Sequence, residues 1–318
     1  MIVLYRKFIY VIVYKGSNIA IVRGGKHDNK YIKIFDPDLI DNKKEKENIK
    51  EPKLEKLGKY ELMELKEAIE KNDSSLLVGK VLKNYNKIVN NHDHIGKEFK
   101  ITDGEFIPVV TSNNQNENQR SCIYISGKSG KGKSVLAHRI LEDYIERPEF
   151  KKNKVYIFSS KNEDIFDTIN SKRILRIDLD DIVEEEPIKL NEESGEFLHN
   201  SLCIFDDYEY MSPDKSVQKK LVHLLNEMLE NGRSKNINMI VISHLLCNQN
   251  VTKLLIAEST STTIFPGAKR NHIKYFMDHY MGLTKENIEK LFHLKSRYVT
   301  VMEDPTCVIA QREIYVIS

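Results

Sequence analysis

No apolar run near the start of this sequence approaches the length of a bilayer. The cleanest, Phe8 to Tyr14, stops after seven residues, where a transmembrane helix needs about 20. Arg6, Lys7 and Lys15 bracket it and no small-residue cleavage site follows, so neither a signal peptide nor a membrane anchor is expected. A strong charge of one sign is also missing. The 49 Lys and Arg residues against 47 Asp and Glu leave a formal net charge of +2, which excludes a chain that holds nucleic acid by bulk charge alone. Cysteine is scarce: Cys122, Cys203, Cys247 and Cys307 are the only four, and no two are close in sequence. That spacing excludes a zinc-finger site and a disulfide framework. Three of them sit in apolar, strand-like runs, as small hydrophobes in a reducing compartment. His92-Asp93-His94 has no further ligand nearby and reads as solvated loop rather than a metal site.

What is present is enough for a core: 318 residues, 40% hydrophobic and 30% charged, a length of one large or two modest domains. Two regions differ in pattern. In residues 1–110, the runs Phe8–Tyr14, Asn18–Val22 and Tyr31–Phe35 are β-branched or aromatic and separated by turn residues, which predicts strands. Residues 41–54 are a solvated charged loop, and helical spacing follows over 54–69 and 76–89. This predicts a separate, smaller α+β domain of undisclosed role. The polar stretch 111–120 is expected to be a linker. Residues 121–318 then alternate strand and helix, which predicts a mainly parallel sheet covered on both faces. Strands are expected at 121–126, 154–159, 174–178, 201–206, 237–243 and 261–265. Helices are expected at 133–146, 215–231, 249–258, 269–280 and 285–293, with a terminal hairpin over 298–317.

The strand Ser121–Ser126 runs directly into Gly127-Lys128-Ser129-Gly130-Lys131-Gly132-Lys133-Ser134 and then a helical pattern. Strand, glycine loop and helix together match the phosphate-binding pattern G-x-x-x-x-G-K-[ST] at every specified position. Glycines let backbone N–H groups turn around phosphate oxygens, and the helix presents its positive end. Lys133 would reach the β- and γ-phosphates, and the Ser134 hydroxyl would coordinate Mg²⁺. Such a site needs a carboxylate at the end of a neighbouring apolar strand. Ser201–Phe205 followed by Asp206-Asp207 supplies it: Asp206 for the metal, Asp207 to orient or deprotonate the attacking water. Leu175–Asp178 fits less well, because an Arg interrupts it.

A GTPase would carry Asn-Lys-x-Asp, and a small kinase an Arg-rich lid; neither pattern is present. Instead a long helix ends at Asn231-Gly232-Arg233, and a strand ends at Ser243-His244. An Arg before such a strand can reach a neighbouring subunit's γ-phosphate, or it is a solvated residue after a helix end. His244 can sense the γ-phosphate, or it caps a strand.

These motifs together resemble FtsK/HerA-type P-loop ATPases, and especially the DNA-packaging ATPases of nucleocytoplasmic large DNA viruses. Ser243–Cys247, Ile264–Gly267, Tyr280–Leu283 and Ser296–Thr300 extend the resemblance over residues 120–318; residues 1–110 lie outside it. The resemblance implies a ring-forming motor that binds ATP and Mg²⁺, hydrolyses ATP and moves double-stranded DNA. It places Lys133, Asp207, Arg233 and His244 at catalytic positions and Ser134 and Asp206 at the metal. Asp207 stands where Glu is usual, and Ser243-His244 where Thr-Gln is frequent. It also implies a homo-oligomeric ring, a capsid protein as a possible partner, no membrane, and a place in the host cytoplasm at a viral factory or in the virion. A non-translocating viral ATPase switch, a helicase-like enzyme and a virion scaffold are the alternatives. Lys269, Arg270, His272 and Lys274, and Lys295 with Arg297, are basic clusters that would meet DNA phosphates if they lined a pore, or are ordinary surface charges. Tyr275, Phe276 and Tyr280 are expected on the buried face of a short helix.

Overall fold

A computed structural model describes residues 2–6, 16–35, 57–58, 60–61, 63–65, 77–83, 95–96, 98–111, 120–161, 164–179, 188–247, 252–265, 270–303 and 306–317. The strand expected over Phe8–Tyr14, the pair His92 and His94, Lys269 and most of the expected linker lie outside these residues.

In chain order the N-terminal strands are β1 (Ile2–Arg6), β2 (Gly16–Arg23), β3 (Lys30–Phe35), β4 (Ile95–Gly96), β5 (Glu98–Lys100) and β6 (Glu105–Pro108). Short helical stretches at 60–61, 63–65 and 79–83 fall inside the two helices expected there. From residue 122 follow β7 (Cys122–Ser126), α1 (Lys133–Glu146), β8 (Lys154–Phe158), β9 (Ile174–Ile177), β10 (Ser201–Phe205), α2 (Lys215–Asn231), β11 (Ile237–Ser243), α3 (Lys253–Glu258) and β12 (Ser261–Ile264). Helices α4 (Arg270–His279) and α5 (Lys285–His293) precede β13 (Val299–Met302), β14 (Cys307–Ala310) and β15 (Glu313–Val316).

The central sheet has ten strands in the order β5-β15-β14-β13-β12-β7-β11-β10-β8-β9. The pairs from β12 to β9 are parallel, and those from β13 to β5 are antiparallel. Every residue of β7, β10 and β11 is buried, as required of strands covered on both faces. The alternation of each strand divides its side chains between two cores. Cys122 and Tyr124, Cys203 and Phe205, and Met239 and Val241 join Leu221, Leu225 and Met228 of α2 on one side. Ile123 and Ile125, Leu202 and Ile204, and Ile240 and Ile242 join Leu136, Ile140 and Tyr144 of α1 on the other. All four cysteines are free, and burial pushes the thiols of Cys122, Cys203 and Cys307 up to about 12.

Three features differ from the sequence expectations. The terminal hairpin is a three-stranded meander, β13-β14-β15. Tyr275 is 45% exposed and stacks on His279 rather than entering the core, whereas Phe276 is fully buried. The cores also cross the stretch where a linker was expected. The N-terminal sheet, in the order β4-β1-β3-β2-β6, places Ile19, Val22, Ile32 and Phe106 in one cluster with Met302, Cys307, Ile309 and Ile314. Ile21, Tyr31 and Ile107 pack in the α1 core, and β5 completes the central sheet by pairing with β15. Polar contacts reinforce this: the Tyr31 hydroxyl donates to buried Asp143 of α1 at 2.5 Å, and Arg147 beside it donates to the Val110 carbonyl. Among the described residues no helix is long and apolar enough to cross a membrane.

Candidate nucleotide site

The loop Gly127–Gly132 opens at the carboxyl end of β7, between β11 and β12, where a parallel sheet forms its ligand crevice. Its shape depends on glycine. Gly130 and Gly132 have φ of 72° and 101°, a region that side chains disfavour. Gly127 lies against Phe265, and a Cβ there would sit 2.6 Å from the Phe265 Cβ. Helix α1 starts at Lys133 with no side-chain cap and no acidic residue in its first turn, so its first N–H groups face the loop's concavity. Lys128, Ser129 and Lys131 are exposed along the rim. Lys133 is buried, and its Nζ donates to the Gly127 carbonyl at 2.8 Å and the Lys128 carbonyl at 3.3 Å. Burial pulls its pKa below the ordinary lysine value, against the opposing pull of Asp207, Asp206 and Glu209.

Two neighbouring strand ends complete the site. Asp206, at the end of β10, is 2% exposed, and the Ser134 hydroxyl donates to its Oδ1 at 3.3 Å. Burial raises its pKa above the ordinary carboxylate value, while Lys161 opposes the rise. The hydroxyl and carboxylate are hard oxygen donors side by side at the phosphate loop, which fits Mg²⁺ taking its remaining ligands from phosphates and water. Among the described residues no group of three or more His, Cys, Asp or Glu forms a self-sufficient metal cage. Asp207 turns through a left-handed backbone (φ 53°), a conformation that costs about 1 kcal/mol or more outside glycine. Its Oδ1 lies 3.0 Å from His244 Nε2, and His244 Nδ1 lies 3.2 Å from Lys133 Nζ. A neutral imidazole satisfies both contacts, with Nε2–H donating to Asp207 and Nδ1 accepting from Lys133. Lys133, His244 and Asp207 therefore form one chain across the mouth of the loop.

The structure adds two groups that sequence reasoning missed. Lys161, just beyond β8, reaches Asp206 Oδ2 at 2.5 Å and Asp207 Oδ2 at 3.3 Å. Burial works to lower its pKa, but the hydrogen bond and charge of Asp206, together with Asp207, outweigh it and raise the pKa overall. Glu209 accepts hydrogen bonds from the Ser243 hydroxyl and the Leu245 N–H. Ser243 thus braces the end of β11, while His244 faces the site. Arg233 is not at its own phosphate loop. It is exposed in a short 3₁₀ turn before β11 (Gly232–Lys235), and its side chain makes no hydrogen bond or ion pair among the described residues. The 740 Å³ cavity lined by Arg23, Lys100, Lys295 and Arg312 lies among β5, β6 and the C-terminal meander rather than at the loop.

Three comparisons bear on this arrangement. A family model described as RNA helicase matches residues 123–228. Genome packaging NTPase B204 of Sulfolobus turreted icosahedral virus 2, solved with ATP-gammaS, superposes with a TM-score of 0.39 at 13% identity, covering 63% of this chain and 98% of B204. The pCW3 conjugation coupling protein TcpA, solved with ATPgS, gives a TM-score of 0.42 at 14% identity over 93% of this chain and 77% of TcpA. A protein of Sputnik virophage, uncharacterized protein V3, is 30% identical over 228 residues, which are 71% of this chain and 86% of V3. The phosphate loop, the strand order around it and this extent of identity make the chain a P-loop NTPase that belongs to the family of the Sputnik virophage protein V3.

Proposed function

We propose that this protein is a magnesium-dependent ATPase whose turnover moves double-stranded DNA through a homo-oligomeric ring during the packaging of a viral genome. The observation that carries the proposal is the placement of Arg233. It precedes the amino end of β11, whereas His244 and the phosphate loop lie beyond the carboxyl end, seven strand residues away. At about 3.3 Å per residue that separation exceeds 20 Å, beyond the reach of any side chain. An exposed guanidinium in this position serves a neighbouring subunit's γ-phosphate, which makes a ring the active form.

Within one subunit, Lys133 leaves the Gly127 and Lys128 carbonyls to meet the β- and γ-phosphates. Asp207 orients the attacking water and takes its proton, held in place by His244. Bound Mg²⁺, held by Ser134 and Asp206, would offset the phosphate charge. ATP is preferred over GTP as substrate because no guanine-reading Asn-Lys-x-Asp is present. The virophage relative supports a viral setting, in the host cytoplasm at a viral factory or in the virion; a capsid protein as docking partner is part of the proposal and rests on the family resemblance alone. The basic cluster on α4 contributes less than its sequence suggested, because Arg270 and Lys274 both pair with Glu289.

The test is steady-state ATP hydrolysis against protein concentration, with and without linear duplex DNA, at low and moderate salt. Cooperative dependence on protein and stimulation by DNA are expected. Activity linear in protein and indifferent to DNA would overturn translocation in favour of a non-translocating switch. Mixing Arg233→Ala with Lys133→Ala subunits should restore activity that neither has alone; no rescue would refute the role across subunits.

A further inference from the structure

Sequence grouped Arg297 with Lys295 as a candidate DNA contact, but the fold separates them. Lys295 lines the cavity beside β5 and the C-terminal meander. Arg297 instead leans over the phosphate loop, with Nη2 3.2 Å from the point that a Cβ on Gly132 would occupy. The guanidinium is exposed and makes no hydrogen bond or ion pair among the described residues, although its backbone is firmly held. The Arg297 N–H donates to Gln311 Oε1 at 2.7 Å, and the Gln311 N–H donates to the Ser296 hydroxyl at 3.0 Å. Gln311 Nε2 donates to Glu105 of β6 at 2.9 Å, and Glu105 also pairs with Arg139 of α1. A charged fork without a partner among the described residues is thus presented to the loop by a clamp spanning the meander, the N-terminal sheet and the loop's own helix.

The side of the loop it occupies identifies the ligand atoms. Asp206, Asp207 and His244 stand at the β10 and β11 strand ends and take the γ-phosphate and metal end. Phe265, beyond β12, and Arg297 stand on the opposite flank, Phe265 Cε1 lying 3.7 Å from the same Gly132 position. A triphosphate gripped by the N–H groups around Gly132 and Lys133 must pass its α- and β-phosphates along that flank. We propose that Arg297 is a nucleotide ligand acting within its own subunit, donating to the α- or β-phosphate of the bound nucleoside di- or triphosphate. This rests on nucleotide binding at the loop, as proposed above. It differs from the Arg233 role in that it requires no second subunit and does not depend on the γ-phosphate.

The experiment is equilibrium binding of fluorescent ATP and ADP, followed by polarisation, to the wild-type protein and to Arg297→Ala, Arg297→Lys and Lys133→Ala. A charge-assisted hydrogen bond to phosphate predicts a loss of about tenfold or more in Arg297→Ala, equal for ATP and ADP. Arg297→Lys should recover part of it, because a point charge replaces the planar fork. Duplex DNA binding by Arg297→Ala should match the wild type. Should Arg297→Ala fail to fold, Arg297→Lys and Arg297→Gln carry the same comparison. Wild-type binding that Lys133→Ala loses and Arg297→Ala retains would overturn the assignment and leave the proposed function standing. A loss confined to DNA binding, or to ATP without ADP, would also overturn it. No nucleotide binding by the wild type would overturn both.

Discussion

Replacing Lys161 by methionine tests a cation that touches both the candidate metal carboxylate, Asp206, and the candidate catalytic carboxylate, Asp207. Methionine keeps most of the side-chain stem and removes the charge. Lys161 Nζ bonds Asp206 Oδ2 at 2.5 Å and approaches Asp207 Oδ2 at 3.3 Å; the Asp206 side chain is 1% exposed and that of Lys161 44%. A hydrogen bond between charged partners contributes about 1.5–3 kcal/mol, and solvent at the lysine end moves this pair to the lower figure. Mg²⁺ engaging Asp206 competes with that ammonium, so removing it strengthens metal binding by roughly 1.5 kcal/mol, or about tenfold. Calorimetric titration of MgCl₂ into nucleotide-free protein reads this directly. Nucleotide affinity in EDTA should move the other way, because one positive charge near the phosphates is gone. An unchanged or weaker Mg²⁺ affinity in Lys161→Met would refute the competition.

Other substitutions probe the remaining supports. Asp207→Asn should leave ATP affinity within about twofold and lower turnover by roughly 100-fold or more, read by comparing nucleotide binding with steady-state hydrolysis; equal turnover would remove Asp207 from the water-orienting role. Gly127→Ala would force a Cβ to 2.6 Å from the Phe265 Cβ, at a cost of about 1–3 kcal/mol, and should weaken ATP binding alongside stability; a variant that binds as the wild type does would contradict the close approach. Asp143→Ala would leave Arg147, 2% exposed, without its buried partner at 3.4 Å. Breaking such a pair costs about 3–5 kcal/mol, and the nearby Glu149 places this one at the lower end. Urea denaturation should show the loss, and a change below about 1 kcal/mol would refute it.

The phosphate loop and the strand ending at Asp206 were legible in sequence because their information is local: a glycine pattern, and a five-residue apolar strand before a carboxylate. The central helices were legible for the same reason, since the apolar spacing of α1 and α2 matches the faces they bury. Lys161 was not, because nothing around Ser159-Ser160-Lys161 marks it. Its place depends on β8 pairing in register beside β10, with Phe158 opposite Phe205. Arg297 was misgrouped because neighbours in sequence point to different parts of the molecule once a meander folds back. Strand β5 has three residues, burial pattern exposed-buried-exposed, too short for periodicity to register, and its partner comes from the far C-terminal side of the fold.

That last pairing also orders events in time. Phe99 meets Ile314, and Lys100 meets Glu313, across more than 200 residues of intervening chain. While the polypeptide emerges from the ribosome, Phe99, Ile101 and Phe106 have only Ile19, Ala20, Val22 and Ile32 beside them, and the rest of their cover waits until residues 302–314 have been made. Contacts of such high sequence separation form late and slowly, and an open apolar sheet face is a site of misassociation in the interim. Synthesis therefore passes through a stage in which the nucleotide-binding strands β7, β8, β10 and β11 are complete while the front of the molecule still waits for its partner strand.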